Sequence, residues 1–178
     1  MTYSAKEVAE WILWLAAKNG IRLSPLQLQK HLYYAQGYSL GMIGEKLFNE
    51  PIYAWKHGPV VREVFYHYKR FGADKITPPA FVEIPQDVFG IIDVIISEKG
   101  KSTASELRNA THVEAPYSST PRNDEITPQR ITDFFVDQFW ASDEEDEYEP
   151  SFDNEEDEHD FFREVLSPEK MKALKDVI

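Results

Sequence analysis

Apolar positions in the first part of the chain recur in steps of three and four, a period typical of amphipathic helices. Ser4-Ala-Lys-Glu7 has the pattern of a capping box, and Asn19-Gly20 supplies a stop, so the first helix is predicted between them. Ser24-Pro25 places an N-cap residue before a proline at the first helical position. The helix that follows, roughly residues 25–40, is apolar over a wide face, which predicts a central helix covered on most sides.

The segment after the central helix has the pattern of extended chain. Apolar residues at 47–48 and 52–55 are separated by Asn49-Glu-Pro51, which predicts a minor β-hairpin or short strand pair around residues 46–57. Pro59 is then predicted to open a helix that runs from Val60 to about residue 71.

Three further helices are predicted between residues 85 and 140. One follows Pro85, a short one follows the capping box Thr103-Ala-Ser-Glu106, and one follows Thr127-Pro128. On the first of these helices, the side chains expected to face the core are Phe89, Ile92, Ile95 and Ile96. On the third, they are Ile131, Phe134, Phe135 and Phe139.

These elements predict a mainly α protein, a compact helical bundle with one minor β element. We expect residues 1–140 to form the helical domain and residues 141–162 to form an acidic linker or arm. Residues 163–178 are expected to form a short amphipathic C-terminal helix with Met171, Leu174 and Ile178 on one face.

The net charge of −12 belongs to one segment of the chain. Residues 143–160 hold 12 of the 31 acidic residues and no Lys or Arg, and without them 19 acidic and 19 basic residues balance. A neutral body lacks the basic face that nucleic-acid binding requires, so nucleic acid is not an expected partner.

The acidic run itself has three interpretations. It is a solvated linker, an arm that docks on a basic partner surface, or a mimic of nucleic acid. Its rings favour docking, because segments that only solvate carry few aromatic residues. Those rings are Tyr148, Phe152, Phe161 and Phe162.

The chain has no cysteine, no basic and apolar leader pattern, and no run near the roughly 18 apolar residues of a membrane span. The simplest interpretation is a soluble cytoplasmic protein with no membrane partner and no disulfide or thiolate chemistry.

The residues Lys56 and His57 precede Gly58-Pro59, where a helix N-terminus is predicted. One interpretation is an anion or carboxylate pocket built by these two side chains and the first amides of the helix. The other is that Trp55 packs in the core and His57 bonds a nearby backbone group, which the helix-start role of Gly-Pro makes the favoured interpretation.

Catalytic and metal chemistry find little support in the remaining patterns. The histidines lack the spacing of metal ligands, and there is no glycine-rich phosphate loop. Residues 118–120 with His112 form a conceivable nucleophile and base, but loop hydroxyls are the favoured interpretation. We therefore predict no catalytic residue, no cofactor and no metal site, with an enzyme centred on His57 or His112 as the second alternative.

Aromatic residues, tyrosine above all, are concentrated between positions 33 and 68. Tyrosine is enriched at protein interfaces, and seven rings are too many for one small core, so some are expected to face a protein partner. The seven are Tyr33, Tyr34, Tyr38, Trp55, Phe65, Tyr66 and Tyr68.

Residues 24–72 resemble the Panacea domain, the phage-associated, SocA-like antitoxin family. The first shared block is Leu28, Gln29, Lys30, Leu32, Tyr33, Tyr34, Ala35, Gln36 and Gly37. The second is Phe48, Glu50, Ile52, Ala54, Trp55, Gly58, Pro59 and Val60. A weaker third block runs from Thr111-His112 to Pro116, and Tyr117 stands where the family pattern has Trp.

The resemblance implies a largely helical domain that neutralises a cognate protein toxin, by direct binding or by handing the toxin to a protease. It covers about residues 4–140 and implies nothing for the acidic run or the final helix. The motif residues expected to be structural are Gln29, Lys30, Tyr33, Gln36, Gly37, Trp55, Gly58 and Pro59. The residues expected to contact the partner are Tyr34, Lys56, His57, Tyr148, Phe152, Phe161 and Phe162. The first alternative is a phage counter-defence protein that uses its acidic arm as a nucleic-acid mimic.

Overall fold

The computed structural model describes residues 2–140. The predicted linker at 141–162, the predicted helix at 163–178 and the four rings expected to dock there lie outside the described residues. Within residues 2–140 the helices are α1 (Ala5–Lys18), α2 (Pro25–Ile43), α3 (Arg62–Tyr68), α4 (Gln86–Lys99), α5 (Ala104–Val113), α6 (Ala115–Ser118) and α7 (Pro128–Trp140), with a turn of 3₁₀-helix at Lys69–Phe71. The strands are β1 (Ile52–Trp55), β2 (Gly58–Val61) and β3 (Glu125–Ile126). The expected mainly α fold with a minor β element is confirmed.

Capping boxes open three of the helices, as the sequence predicts. Ser4, Ser24 and Thr103 each accept a hydrogen bond from the backbone N–H three residues later, and the Glu or Gln there accepts one in return. α2 ends at Gly44, whose φ of 78° is the left-handed conformation that favours glycine.

α2 is the centre of the bundle. Sixteen of its 19 residues are buried, and it packs against α1, α4, α5, α7 and β2. The predicted central helix is therefore confirmed. Its enclosure explains why apolar residues occupy most of its circumference rather than one stripe.

Two glycines allow α7 to pack closely on α2. A Cβ at Gly37 would overlap the ring of Phe135, and one at Gly41 would lie 2.7 Å from the Phe135 Cβ. Phe135 occupies the space they leave and meets the rings of Tyr33, Tyr34 and Tyr38 edge-on.

Of the seven aromatic residues singled out between positions 33 and 68, four are buried. Tyr33, Tyr34 and Tyr38 are buried beside Phe135, and Tyr68 is buried elsewhere in the core. Trp55 and Phe65 are half-buried, and Tyr66 is 57% exposed.

The three strands form an antiparallel sheet in the order β2-β1-β3. β1 and β2 make a hairpin in which Ile52 pairs with Val61 and Trp55 pairs with Gly58. The predicted helix start at Val60 is wrong, because residues 58–61 form the second strand. The helix itself is present as α3, which begins at Arg62 and is followed by the 3₁₀ turn that ends at Phe71. Gly58, at φ 100°, follows the turn, and an edge strand tolerates Pro59, which has no N–H to donate.

One predicted core position is also wrong. Phe89 is 40% exposed, because the buried stripe of α4 is centred on Val88, Ile92 and Ile95 and Phe89 lies on its flank. On α7, Ile131 and Phe135 are buried, as predicted. No helix among the described residues is long and apolar enough to cross a membrane.

Candidate functional site

Buried polar side chains of α2 hold the segments that surround the hairpin. Gln29 Oε1 accepts a hydrogen bond from the Val61 N–H at 2.7 Å, and its amide donates to the Val61 carbonyl at 3.4 Å. Gln36 does the same for the preceding segment: Oε1 accepts from two backbone N–H groups at 3.1 Å, and Nε2 donates to the Phe48 carbonyl at 3.0 Å. These side chains replace backbone partners that a short sheet cannot supply.

Lys30 lies beneath the hairpin turn, and its side chain is completely buried. Its Nζ donates to the Pro59 carbonyl at 3.0 Å. Burial, and then the positive charge of Arg108, lower the pKa of Lys30 to about 7. A Cβ at Gly58 would lie 2.5 Å from this Nζ and 3.0 Å from Thr111 Oγ1, so glycine is required there for space as well as for φ.

The turn itself consists of Lys56 and His57, and both are exposed. The anion pocket at a helix N-terminus is wrong as first interpreted, because β2 separates His57 from the start of α3 at Arg62. His57 instead lies close enough to His112 of α5 to act on it electrostatically.

α5 and α6 attach to the hairpin through Tyr117. Its hydroxyl donates to the Trp55 carbonyl at 2.8 Å, so its oxygen accepts from His112 Nε2 at 2.9 Å. This network assigns the ring proton of His112 to Nε2 and leaves Nδ1 as the acceptor nitrogen. Burial, then Arg108, Lys30 and His57, lower the pKa of His112.

The hydroxyls of residues 118–120 are not gathered around His112. Ser119 Oγ donates to the Ala115 carbonyl at 2.6 Å and Thr120 Oγ1 to the Pro116 carbonyl at 2.7 Å, while His112 bonds Tyr117. The arrangement is that of loop hydroxyls, the favoured interpretation. Among the described residues no cluster of His, Asp or Glu could hold a metal ion.

Aromatic rings flank the turn on its other side. The Trp55 and Phe65 rings meet edge-on with centroids 5.1 Å apart, and Phe65 meets Tyr66 at 5.5 Å. Lys69 Nζ lies 5.1 Å from the centre of the Tyr66 ring. The turn thus joins an aromatic patch to a group of cations.

We call this surface the hairpin corner. It consists of Trp55, Lys56, His57, Phe65, Tyr66, Arg108 and His112. The sequence motifs did not single out Arg108, although its spacing of four from His112 on a capped helix places both on one face. Exposed or half-buried Trp, Tyr and Arg are the residue types that dominate binding energy at protein interfaces.

Tyr34 does not lie at the hairpin corner. It is 3% exposed, and its hydroxyl donates to a Glu114 carboxylate oxygen at 2.7 Å. Burial raises the pKa of Glu114, and Lys99 Nζ lies 4.4 Å from the centre of the Tyr34 ring. Of the partner-contact residues predicted within 2–140, the structure therefore places Lys56 and His57 together on the surface and Tyr34 in the interior.

Comparison with known proteins gives a consistent match. Antitoxin SocA of Caulobacter vibrioides (strain NA1000 / CB15N) is 37% identical over 121 residues, which cover 61% of this chain and 64% of the relative. The chain thus spans less than two thirds of the length of that relative. No solved structure matches the chain. The sequence model of the family described as "Antitoxin SocA-like, Panacea domain" matches residues 28–118, a range that contains most of α2, the hairpin and α5, and the chain therefore belongs to that family.

Proposed function

We propose that the protein is a non-enzymatic antitoxin that binds and neutralises a cognate protein toxin, with the hairpin corner as a contact surface. The observation that carries the proposal is the hairpin corner itself. Buried residues of the family motif hold the turn rigidly, while the aromatic and cationic side chains around it are left on the surface. Rigid presentation lowers the entropic cost of binding.

Membership of the SocA-like family supports the antitoxin role, and the relative from Caulobacter vibrioides carries the name of an antitoxin. A protease that receives the toxin is part of the same proposal, since the family resemblance implies such a route. We further propose that residues 141–178 form a second gripping element, whose acidic run speeds association with a basic partner.

The hairpin corner is tested with Tyr66→Ala and His57→Ala in the full chain. The readouts are growth rescue on co-expression with the cognate toxin, and the Kd of the purified pair. A central aromatic contact contributes about 2 kcal/mol, so Tyr66→Ala should weaken binding by about 30-fold. Phe81→Ala is the matched control, because Phe81 is 73% exposed and contacts Trp14 of α1. Undiminished protection by both corner variants contradicts the proposed surface.

The second gripping element is tested by deleting residues 141–178. Neutralisation should be lost while circular dichroism shows the helical body intact, because the buried core described above lies between Ala5 and Phe135. Full protection by residues 1–140 alone refutes a role for the deleted segment. Competition of the full chain with DNA for a nuclease, without any toxin partner, would favour the nucleic-acid-mimic alternative instead.

A further inference from the structure

Basic side chains are concentrated at the hairpin corner without paired carboxylates. Arg108 and His112 lie one turn apart on α5, the turn adds Lys56 and His57, and Lys30 is buried beneath. Within residues 2–140 no carboxylate lies within ion-pair distance of any of these five groups. The described body is close to electrically neutral, so this local excess is a property of the corner.

Two donors at the corner lack the acceptors that buried or half-buried groups normally have. Arg108 Nε is buried and has no hydrogen-bond partner among the described residues, and Arg108 Nη1 donates a long bond of 3.4 Å to Oδ1 of the neighbouring Asn109. Lys30 has one acceptor, the Pro59 carbonyl, although its amine has more than one proton to donate in either protonation state. An unpaired buried donor is costly. Arg108 as a whole is half-buried, so part of its side chain stays open to an anion from outside.

His112 is arranged to take part in the same way. Its Nε2 proton is committed to Tyr117, so Nδ1 can donate only after the ring gains a second proton. The groups that act on the ring are Arg108, Lys30 and His57, and each of them opposes that proton. A carboxylate at the corner would reverse this balance and make the ring a donor.

We propose that the hairpin corner binds a carboxylate side chain of the partner protein through Arg108 and His112, with His57 closing the site from the turn. The identity of the partner rests on the proposed function, but the carboxylate site does not depend on which toxin is bound. Arginine matches a carboxylate with two parallel N–H donors, which gives the contact direction as well as charge. An acidic residue of the toxin would thus bind at the hairpin corner. This part of the toxin would be distinct from any basic toxin surface that the acidic run engages.

A protein carboxylate fits the corner better than a nucleic-acid backbone does. Binding a backbone requires cations spread along a face many residues long, whereas the charges here meet at one turn and one helix face. A protein can present a single carboxylate on one side chain. Apolar residues around that side chain can pack against the adjacent Trp55, Phe65 and Tyr66 rings.

The test uses the full-length ¹⁵N-labelled protein and the peptide N-acetyl-Glu₄-amide, with N-acetyl-Gln₄-amide as the uncharged control. The Glu₄ peptide should shift the imidazole signals of His112 and His57, and should bind at least fivefold more tightly at pH 6 than at pH 8. Arg108→Gln should weaken this binding at least tenfold. The matched control is Arg22→Gln, at an exposed arginine in the α1–α2 connection.

Thermal unfolding of both variants shows whether they fold, and His112→Gln supplies a second variant that should abolish the pH dependence. Equal binding of the two peptides, or equal effects of Arg108→Gln and Arg22→Gln, overturns the proposal. Tighter binding of a five-nucleotide oligothymidine than of the Glu₄ peptide also overturns it in favour of a phosphate site. In a further outcome, Arg108→Gln loses peptide binding but keeps toxin binding. The site then exists, but the toxin does not use it. This result overturns the assignment of the carboxylate to the partner and leaves the proposed function standing.

Discussion

Replacing Lys30 with methionine tests the electrostatics of the interior. The folded protein releases the Lys30 proton at a pKa of about 7, against 10.5 for an ordinary lysine. Between these values the unfolded chain holds a proton that the folded chain has lost, so the free energy of unfolding rises with pH. Below pH 7 both states hold the proton, and the cost of burying the charge is present in full. The two pKa values give a gain of ~2 kcal/mol between pH 7 and pH 9.

This gain should vanish in Lys30→Met, which keeps the length of the side chain and removes its charge. The loss of the hydrogen bond to the Pro59 carbonyl costs about 1–3 kcal/mol, but that cost does not depend on pH and moves the whole curve. The measurement starts at pH 7 so that His112 does not contribute to the slope. The pKa of His112 is lowered, and the imidazole therefore titrates below that pH range.

Urea unfolding followed by tryptophan fluorescence at pH 7, 8 and 9 measures both curves. The difference in unfolding free energy between wild type and Lys30→Met should change by ~2 kcal/mol across the series. Lys101→Met, at an exposed lysine after α4, should leave the slope of the wild type unchanged. Parallel curves for wild type and Lys30→Met would refute the lowered pKa of the buried Lys30 amine.

Three further substitutions test how the core and hairpin are held. Gly37→Ala should destabilise the fold by about 2 kcal/mol in urea unfolding, because its Cβ would overlap the Phe135 ring, and Phe135→Leu in the same chain should recover part of the loss. Gln36→Ala removes three hydrogen bonds and should cost about 2 kcal/mol, with faster hydrogen exchange confined to the amides between α2 and β1; uniform exchange would contradict this. Gly58→Ala should lower the Tm, and adding Lys30→Met should recover only part of the loss, because φ 100° remains strained for alanine; complete recovery would show that crowding alone matters.

The parts of the fold that could be predicted from sequence are those decided within a few residues. The capping boxes at Ser4, Ser24 and Thr103 involve atoms three residues apart, so their local pattern carries the whole signal. The enclosure of α2 was also predictable, since a helix that is apolar on most sides has to be covered.

The hairpin was misplaced because its second strand depends on distant partners. Gly58-Pro59 is compatible with the start of a helix and with an edge strand. The choice is made by Gln29 and Lys30, which lie about 30 positions earlier and bond Val61 and Pro59. No local window contains those contacts.

The candidate site shows the same division. Lys56 and His57 were expected to contact a partner because they precede Gly58-Pro59, where a helix start was predicted; both are exposed, but they form the turn of a hairpin. Tyr34 was placed with them on composition, but its partner Glu114 lies 80 positions away and was not identifiable. Arg108 had a usable signal, its four-residue spacing from His112, but only the folded chain shows the hairpin opposite that face.

The contacts of Gln29 and Lys30 also determine how other chains can approach this molecule. A peptide that joined the sheet by adding a strand beside β2 would need the outward backbone groups of Val61 and Pro59, and side chains from α2 already occupy them. The same occupation guards against edge-to-edge aggregation, which exposed strand edges invite. A partner must therefore recognise this region through its side chains. The binding specificity of the protein can then change by substitution of surface residues while the sheet stays the same.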